Sequence, residues 1–304
     1  MKIFTFLLCL VLGLASPAFA ADRQIVASVF PVWLLLRQVT RDVPGVEVGL
    51  LLPAGTGCPH DYSMTPQDRR ALARADVLVI NGLGLESFLG EPGKVSRLMK
   101  EGFSIIDISS RVDHLLAEEE AGHEGHDHGH GVNPHIFASP AMMSRMAVSL
   151  AVQLAQHDPE HASLYEENGR RTAERLDALA ADFAALGGRI AGRGVLVQHN
   201  VFNYLARDTG LVVDAMVQAH EGQEPSAREM LDLVRIIREK HTAAVITEPQ
   251  YPARTGRTLA AETGIPCISL DPVASGPSDA PDDYYETVMR GNLRILENTL
   301  GTKQ

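Results

Sequence analysis

The chain has 304 residues, of which 45% are hydrophobic, a composition typical of a globular protein long enough for two domains. Its formal net charge is −11, and it contains no run of basic residues, which argues against nucleic acid or anionic lipid as a partner. Three cysteines are too few for a disulfide-dense scaffold.

The first 20 residues have the pattern of a secretory signal peptide. Lys2 precedes an apolar run over residues 3–14, and Ala18-Phe19-Ala20 forms a small-residue cleavage motif. We therefore expect a mature protein that begins at Ala21 and works in the periplasm. The apolar run is too short to span a bilayer, and no second stretch of about 20 apolar residues follows, so direct membrane insertion is not expected. Cys9 lacks the sequence context of a lipoprotein cleavage site.

Short β-rich runs alternate with helical patterns, which predicts α/β folding with mostly parallel sheets flanked by helices. Thr65 and Pro66 predict the start of a helix that ends near Ala75, because Thr is a favoured N-cap and Pro suits the first helical position. The strands predicted in the first half are 24–30, 46–52, 76–81 and 103–108.

A long amphipathic pattern from Pro159 to Leu186 predicts a rigid helix between two lobes, ended by Gly187 and Gly188. Ser226 and Glu229 then form a capping box at the start of a later helix, and a terminal helix is predicted over 282–300. The strands predicted in the second half are 194–198, 211–217, 243–247 and 267–270. The domain prediction is an N-terminal lobe over 21–157, a connecting helix over 158–188 and a C-terminal lobe over 189–304.

Residues 117–131 break the pattern, because three glutamates and a His-rich stretch have no apolar residue that could be buried. We expect a mobile loop. It is either a solvated linker or, as the density of imidazoles favours, a weak metal-capture segment that passes the ion to the main site. Its histidines are His123, His126, His128 and His130.

Ligand-type side chains lie where the predicted strands end. His60 follows the second strand, and His199 and Asp271 directly follow strands of the second half. His135 lies in a loop before a helix that begins near Pro140. Because ligands of open parallel sheets bind beyond the carboxyl ends of the strands, these four residues are placed to face one crevice. Three imidazoles and a carboxylate suit tetrahedral Zn²⁺ by ligand type and geometry, although copper would bind such nitrogens more tightly.

Six segments carry a resemblance over nearly the whole mature chain: HDYSMTPQD (60–68), NGLGLE (81–86), NPHIFASP (133–140), QHNVFNY (198–204), TEPQ (247–250) and LDP (270–272). Together they resemble the periplasmic solute-binding proteins of zinc and manganese ABC importers, the cluster A-I family. The resemblance implies two α/β lobes joined by a backbone helix, with the metal in the interlobe cleft. It implies that the metal ligands are His60, His135, His199 and Asp271.

The resemblance also bears on the metal and the partner. Manganese members have a glutamate where this chain has His199, which favours zinc, and a His-rich loop is typical of zinc members. The implied role is capture of Zn²⁺ as the transported ligand and delivery to the membrane permease of an ABC importer. We expect the protein to act as a monomer and not as an enzyme.

One cysteine, Cys58, departs from the family pattern, and together with Cys267 it raises the question of a disulfide. Cys58 stands before His60 where an acidic or polar residue is expected, so it removes a possible carboxylate ligand and could itself touch metal. A disulfide between Cys58 and Cys267 across the cleft is conceivable, since oxidising compartments favour pairing. Glu248 also follows a strand, and we interpret it as support for a ligand or as a helix cap.

Three alternative functions remain open from the sequence. A manganese- or iron-binding member of the same family would use the same fold. A secreted zinc hydrolase would need an open coordination position, which Asp271 fills, and no H-E-x-x-H or G-x-S-x-G element occurs. A metal buffer without a transporter would share every ligand.

Overall fold

The computed structural model describes residues 23–57, 59, 62–90, 100–117, 131–218 and 224–301. They form two lobes, each built on a four-stranded parallel sheet flanked by helices. This architecture confirms the fold class predicted from the sequence. Within the described ranges, no helix is long and apolar enough to cross a membrane.

The N-terminal lobe has the strand order β2-β1-β3-β4. The central strands β1 and β3 are the most buried, as expected for parallel strands covered by helices on both faces. The elements are β1 (Arg23–Ala27), α1 (Phe30–Val39), β2 (Val46–Leu50), α2 (Pro66–Arg74), β3 (Val77–Ile80), β4 (Ser104–Asp107) and α3 (Pro140–His157).

Helix α2 begins as the sequence predicts. The Thr65 hydroxyl accepts a hydrogen bond from the Asp68 amide, and the Asp68 carboxylate accepts one from the Thr65 amide, so both ends of a capping box are made. Strand β1, in contrast, is shorter than predicted, because α1 already begins at Phe30.

The C-terminal lobe repeats the same strand order, β6-β5-β7-β8. The capping box at Ser226 and Glu229 is present, as predicted. The elements are β5 (Gly194–Val197), α5 (Asn203–Thr209), β6 (Val212–Met216), α6 (Ala227–Lys240), β7 (Ala244–Thr247), α7 (Arg254–Thr263), β8 (Cys267–Ser269) and α8 (Tyr284–Leu300).

The two lobes are joined by α4 (Ala162–Ile190), a helix of 29 residues and about 44 Å. It contacts α1 and α3 on one side and α5 and α8 on the other. The prediction that Gly187 and Gly188 end this helix is wrong. A Cβ on Gly187 would lie 3.0 Å from the Thr209 carbonyl oxygen, so this glycine allows close packing against α5 inside the helix.

One hydrophobic core runs through both lobes, from Ile25 in β1 to Leu300 at the end of α8. A smaller cluster, which includes Leu196 and Leu259, lies between the second sheet and helices α6 and α7. Because the main core is continuous, the lobes are packed on a shared interior in addition to being joined by α4.

Candidate metal site

Both sheets have a point at which the chain reverses its direction of winding, between β1 and β3 and between β5 and β7. Crevices outside the carboxyl ends of strands at such points are the usual ligand sites of open α/β sheets. Ser28 and Asn81 follow β1 and β3, whereas His199 and Glu248 follow β5 and β7.

His199 is buried and held by a carboxylate. Its side chain lies two residues beyond β5 and is 4% exposed, and Glu248, directly after β7, is 2% exposed. The His199 Nδ1 lies 2.7 Å from the Glu248 Oε1. An imidazole whose Nδ1 is held by a carboxylate is fixed in orientation and coordinates metal through Nε2. Glu248 thus has the contact expected of a residue that supports a ligand.

His135 is held in the same way by an amide. The Asn133 Oδ1 accepts hydrogen bonds from the His135 backbone amide at 2.9 Å and from its Nδ1 at 3.0 Å. The ring is 2% exposed. Because the backbone amide can only donate, the Asn133 atom is an acceptor, and the Nδ1 of His135 carries the proton. The Nε2 is therefore the nitrogen that can bind a metal.

The loop that carries His135 is pinned to both lobes. The Asn81 side-chain amide donates to the Pro134 carbonyl at 3.0 Å. From the other lobe, the Tyr204 hydroxyl donates to the Asn133 carbonyl at 2.8 Å. The Asn133 side-chain amide donates to the Asn200 carbonyl, also at 2.8 Å. The two imidazoles consequently meet, and the ring centroids of His135 and His199 lie 5.2 Å apart.

A buried carboxyl holds Asn81 in turn. The Glu86 Oε1 accepts hydrogen bonds from the Ser28 hydroxyl and the Asn81 amide, each at 2.7 Å, and the Glu86 Oε2 accepts one from the Gly82 amide at 3.1 Å. Burial raises the pKa of Glu86 to about 7, against these three donors, which lower it. Gly82 has a φ of +85°, and a Cβ there would collide with Asp107, so the turn requires glycine.

Asp271 lies just beyond β8 and is partly exposed. Its Oδ1 accepts hydrogen bonds from the Gln250 amide at 3.1 Å and from the Val273 backbone amide at 2.8 Å. An oxygen that already accepts two hydrogen bonds leaves Oδ2 as the atom suited to a cation. The Asp271 backbone is paired with the side chain of Asn292, at 3.0 and 2.7 Å.

One short loop contacts both His199 and Asp271. Glu248 contacts His199, and Gln250, two residues later, contacts Asp271. Gly57 lies beside the same loop, because a Cβ on it would be 3.4 Å from the Gln250 Cβ. A cavity of about 340 Å³ opens here, lined by Gly55, Gly57, Gln250, Asp271 and Ser275 among others.

Several predicted residues lie outside the described ranges: Cys58, His60, His123, His126, His128 and His130. Within the described ranges, no three His, Cys, Asp or Glu side chains are grouped closely enough to hold a metal. Among the described residues Cys267 forms no disulfide, and its side chain packs against the smaller hydrophobic cluster. Its pairing with Cys58 stays a prediction.

Asn133 and Gln250 carry no predicted role in the sequence. Both amides lie inside the quoted motifs. Asn133 is only two residues from His135, so its proximity was a usable signal, but Gln250 is 21 residues from Asp271. That contact depends on how β7 and β8 are placed in the sheet, so the sequence around either residue does not indicate it.

The family model described as "Zinc-uptake complex component A periplasmic" matches residues 25–299. The chain belongs to this family. Membership confirms the resemblance found in the sequence, and with it the class of a zinc-uptake binding protein instead of an enzyme. The family's pairing with ABC importer components fits the kind of partner predicted.

Individual relatives agree with this assignment. The high-affinity zinc uptake system protein ZnuA of Bacillus subtilis (strain 168) is 26% identical over 310 residues, covering 98% of this chain and 95% of that protein. A crystal structure of ZnuA matches with a TM-score of 0.76 and 27% identity, over 92% of this chain and 99% of that one. The SBP FpvC from Pseudomonas aeruginosa, solved in complex with Mn²⁺, matches with a TM-score of 0.79 and 28% identity, over 92% and 98% of the two chains.

Proposed function

We propose that the mature protein, formed by cleavage of the signal peptide 1–20, captures Zn²⁺ in the periplasm as a monomer and delivers it to the permease of an ABC importer. The observation that carries this proposal is a pair of buried imidazoles whose ring centroids lie 5.2 Å apart, with the His199 Nδ1 2.7 Å and the His135 Nδ1 3.0 Å from a side-chain oxygen. The ligands of the bound ion are His60, His135, His199 and Asp271.

The donor set favours zinc. Imidazole nitrogens with one carboxylate are the ligands of tetrahedral Zn²⁺, whereas Mn²⁺ prefers sites richer in oxygen. FpvC, which was solved with Mn²⁺, marks manganese as the second candidate within the same fold. A hydrolase is disfavoured, because four protein ligands leave no position for a reactive water.

The experiment is a competition titration of Zn²⁺ against a chromogenic chelator, with the wild-type protein and four single variants, His60→Ala, His135→Ala, His199→Ala and Asp271→Ala. We expect each variant to weaken zinc binding by at least a hundredfold, because each loses one of four ligands. His157→Ala, at the end of α3, is the matched control and should bind as the wild type does. Mn²⁺ is titrated in parallel, and tighter binding of Mn²⁺ than of Zn²⁺ would support the second candidate.

The same titration has a pH dependence. Histidines must be deprotonated to bind metal, so zinc affinity should fall as the pH is lowered from 7.5 to 5.5. An affinity that does not change with pH would contradict histidine ligation.

The His-rich loop is proposed to capture zinc weakly and pass it to the main site. Ala117 and Val132, at its two ends, form an antiparallel bridge, and the Asn133 amide donates to the Leu116 carbonyl at 2.9 Å. A deletion of 118–131 closed by two glycines therefore joins residues that are already neighbours. We expect the tight site to keep its affinity and the number of additional weakly bound zinc ions to fall. Loss of tight binding would move the main site into the loop.

A further inference from the structure

The segment between β8 and α8, residues 270–283, begins in the C-terminal lobe but lies against the N-terminal lobe. The Gly276 amide donates to the Ala54 carbonyl at 2.8 Å. A Cβ on Gly276 would lie 2.4 Å from the Phe30 ring, so the segment and the start of α1 are in close contact. The Phe30 ring also packs edge-on against Tyr284, with centroids 5.7 Å apart.

The C-terminal end of this segment is bound by residues of α1 and of the turn that follows it. Arg37 donates to the Ala280 carbonyl at 2.6 Å and to the Asp282 Oδ1 at 2.7 Å. Arg41, in the turn that follows α1, pairs with the Asp282 Oδ2, and the Gln38 amide donates to the Asp282 carbonyl. We call Arg37, Gln38, Arg41 and Asp282 the Asp282 clamp.

The near end of the segment carries Asp271, which is fixed by Gln250 and Asn292. Between the two ends, Val273 is fully buried with a φ of +64°. A β-branched residue in this left-handed region is strained, and such strain persists only where the surroundings over-determine the backbone. The segment is therefore anchored at both ends around a constrained backbone, which links the position of Asp271 to the contacts made at Asp282.

We propose that the Asp282 clamp positions Asp271 for zinc and slows release of the ion. This inference rests on the proposed function, in which Asp271 is a ligand from the C-terminal lobe and His135 is one from the N-terminal lobe. The clamp ties the segment 270–283 to α1 of the opposite lobe. It thereby fixes the separation of the carboxylate from the imidazole across the cleft, and opening of the cleft must break it.

We expect loss of the clamp to change the rate of zinc release more than the stability of the fold. The Asp282 side chain is 49% exposed and those of Arg37 and Arg41 are 30% and 47% exposed, and ion pairs this exposed contribute little to folding. Loss of the clamp should thus leave the fold intact while increasing the rate at which the cleft opens.

The test uses the mature protein loaded with Zn²⁺ and mixed with excess chelator in a stopped-flow instrument. Asp282→Asn removes the charge that both arginines hold and should speed zinc dissociation about fivefold, equivalent to ~1 kcal/mol. Asp282→Glu keeps the carboxylate and should restore a rate close to that of the wild type. The matched control is Arg290→Gln, which breaks the Arg290–Asp182 pair between α8 and α4, 2.9 Å long with both side chains 48% exposed.

A second readout reports on the clamp without zinc. Trp33 is the single tryptophan of the chain, and the Arg37 guanidinium lies 4.7 Å from the centroid of its ring. In the metal-free protein, Asp282→Asn should change the Trp33 emission, whereas Arg290→Gln should not. A merely structural role would lower the melting temperature without changing the zinc dissociation rate.

The outcomes separate the two proposals. Equal zinc dissociation rates in Asp282→Asn and Arg290→Gln would overturn the positioning role, even if the Trp33 emission changes. A wild-type protein that binds no zinc would overturn the proposed function and the clamp's role with it.

Discussion

Replacing Glu248 by Gln removes one negative charge from the contact with His199 and changes little else. The Gln side chain has nearly the same size and keeps an oxygen that can accept from the His199 Nδ1. What is lost is the carboxylate, which makes a bound imidazole a stronger donor to the metal. Because the pair is buried and its atoms lie 2.7 Å apart, solvent cannot substitute for that charge.

Loss of a carboxylate that supports a metal-binding histidine costs about tenfold to a hundredfold in metal affinity. We expect zinc affinity of Glu248→Gln to fall within that range, which corresponds to about 1.4–2.7 kcal/mol. The assay is the same chelator competition, at a pH where the histidines are neutral. The variant should still bind one zinc ion tightly, since all four proposed ligands remain.

The chain offers a matched control in a second carboxylate–imidazole pair, in which Asp158 is buried and His161 is partly exposed. The Asp158 Oδ2 lies 2.9 Å from the His161 Nδ1, and the Asp158 Oδ1 lies 3.0 Å from Arg23. Arg23 is the first residue of β1, so this pair lies at the amino ends of the strands, away from the cleft. Asp158→Asn should lower the free energy of unfolding by about 1–3 kcal/mol but leave zinc affinity within about twofold. Glu248 has no supporting role if Glu248→Gln binds zinc as the wild type does, or if both variants lose affinity equally.

Two further predictions concern stability. The pKa of Glu86 is about 7 in the folded protein against an ordinary value of 4.5, so the folded state holds a proton that the unfolded state releases. Its contribution is complete below pH 4.5 and is lost as the pH rises to about 7, a total of about 3 kcal/mol. Urea denaturation at pH 4.5, 6 and 8 should show this decline in the wild type relative to Glu86→Gln, and parallel profiles would contradict it. In α4, Gly187→Ala should destabilise the protein by about 1–3 kcal/mol, because its Cβ would press on Thr209. Gly188→Ala, with nothing within 4 Å, should instead stabilise it by up to about 1 kcal/mol; two changes of the same sign in thermal denaturation would show that helix propensity or packing alone governs both positions.

Features that depend on neighbouring residues could be predicted from the sequence. The capping boxes at Thr65 and Ser226 are local contacts, and the strands were found from short apolar runs between turns. The placement of His199 and Asp271 followed from the same strands, because the residue after a parallel strand must lie at the carboxyl edge of the sheet.

Features that depend on distant parts of the chain could not be predicted. Gly187 and Gly188 have the sequence pattern of a helix end, but Gly187 exists to admit the Thr209 carbonyl of another helix. The contact of the Gly276 amide with the Ala54 carbonyl joins residues more than 200 positions apart. No sequence periodicity predicts such a contact, so the crossing of the segment 270–283 to the opposite lobe is visible only in the structure.

The two lobes support their histidines in similar ways. At each reversal of winding, a buried glutamate acts on a histidine: Glu248 contacts His199 directly, and Glu86 acts on His135 through Asn81 and the Pro134 carbonyl. Each imidazole is therefore fixed by contacts made within the protein, and little conformational entropy remains to be lost when an ion binds. In the proposed site, imidazoles fixed in this way would favour zinc by geometry, one of the means by which proteins select against ions of higher intrinsic affinity.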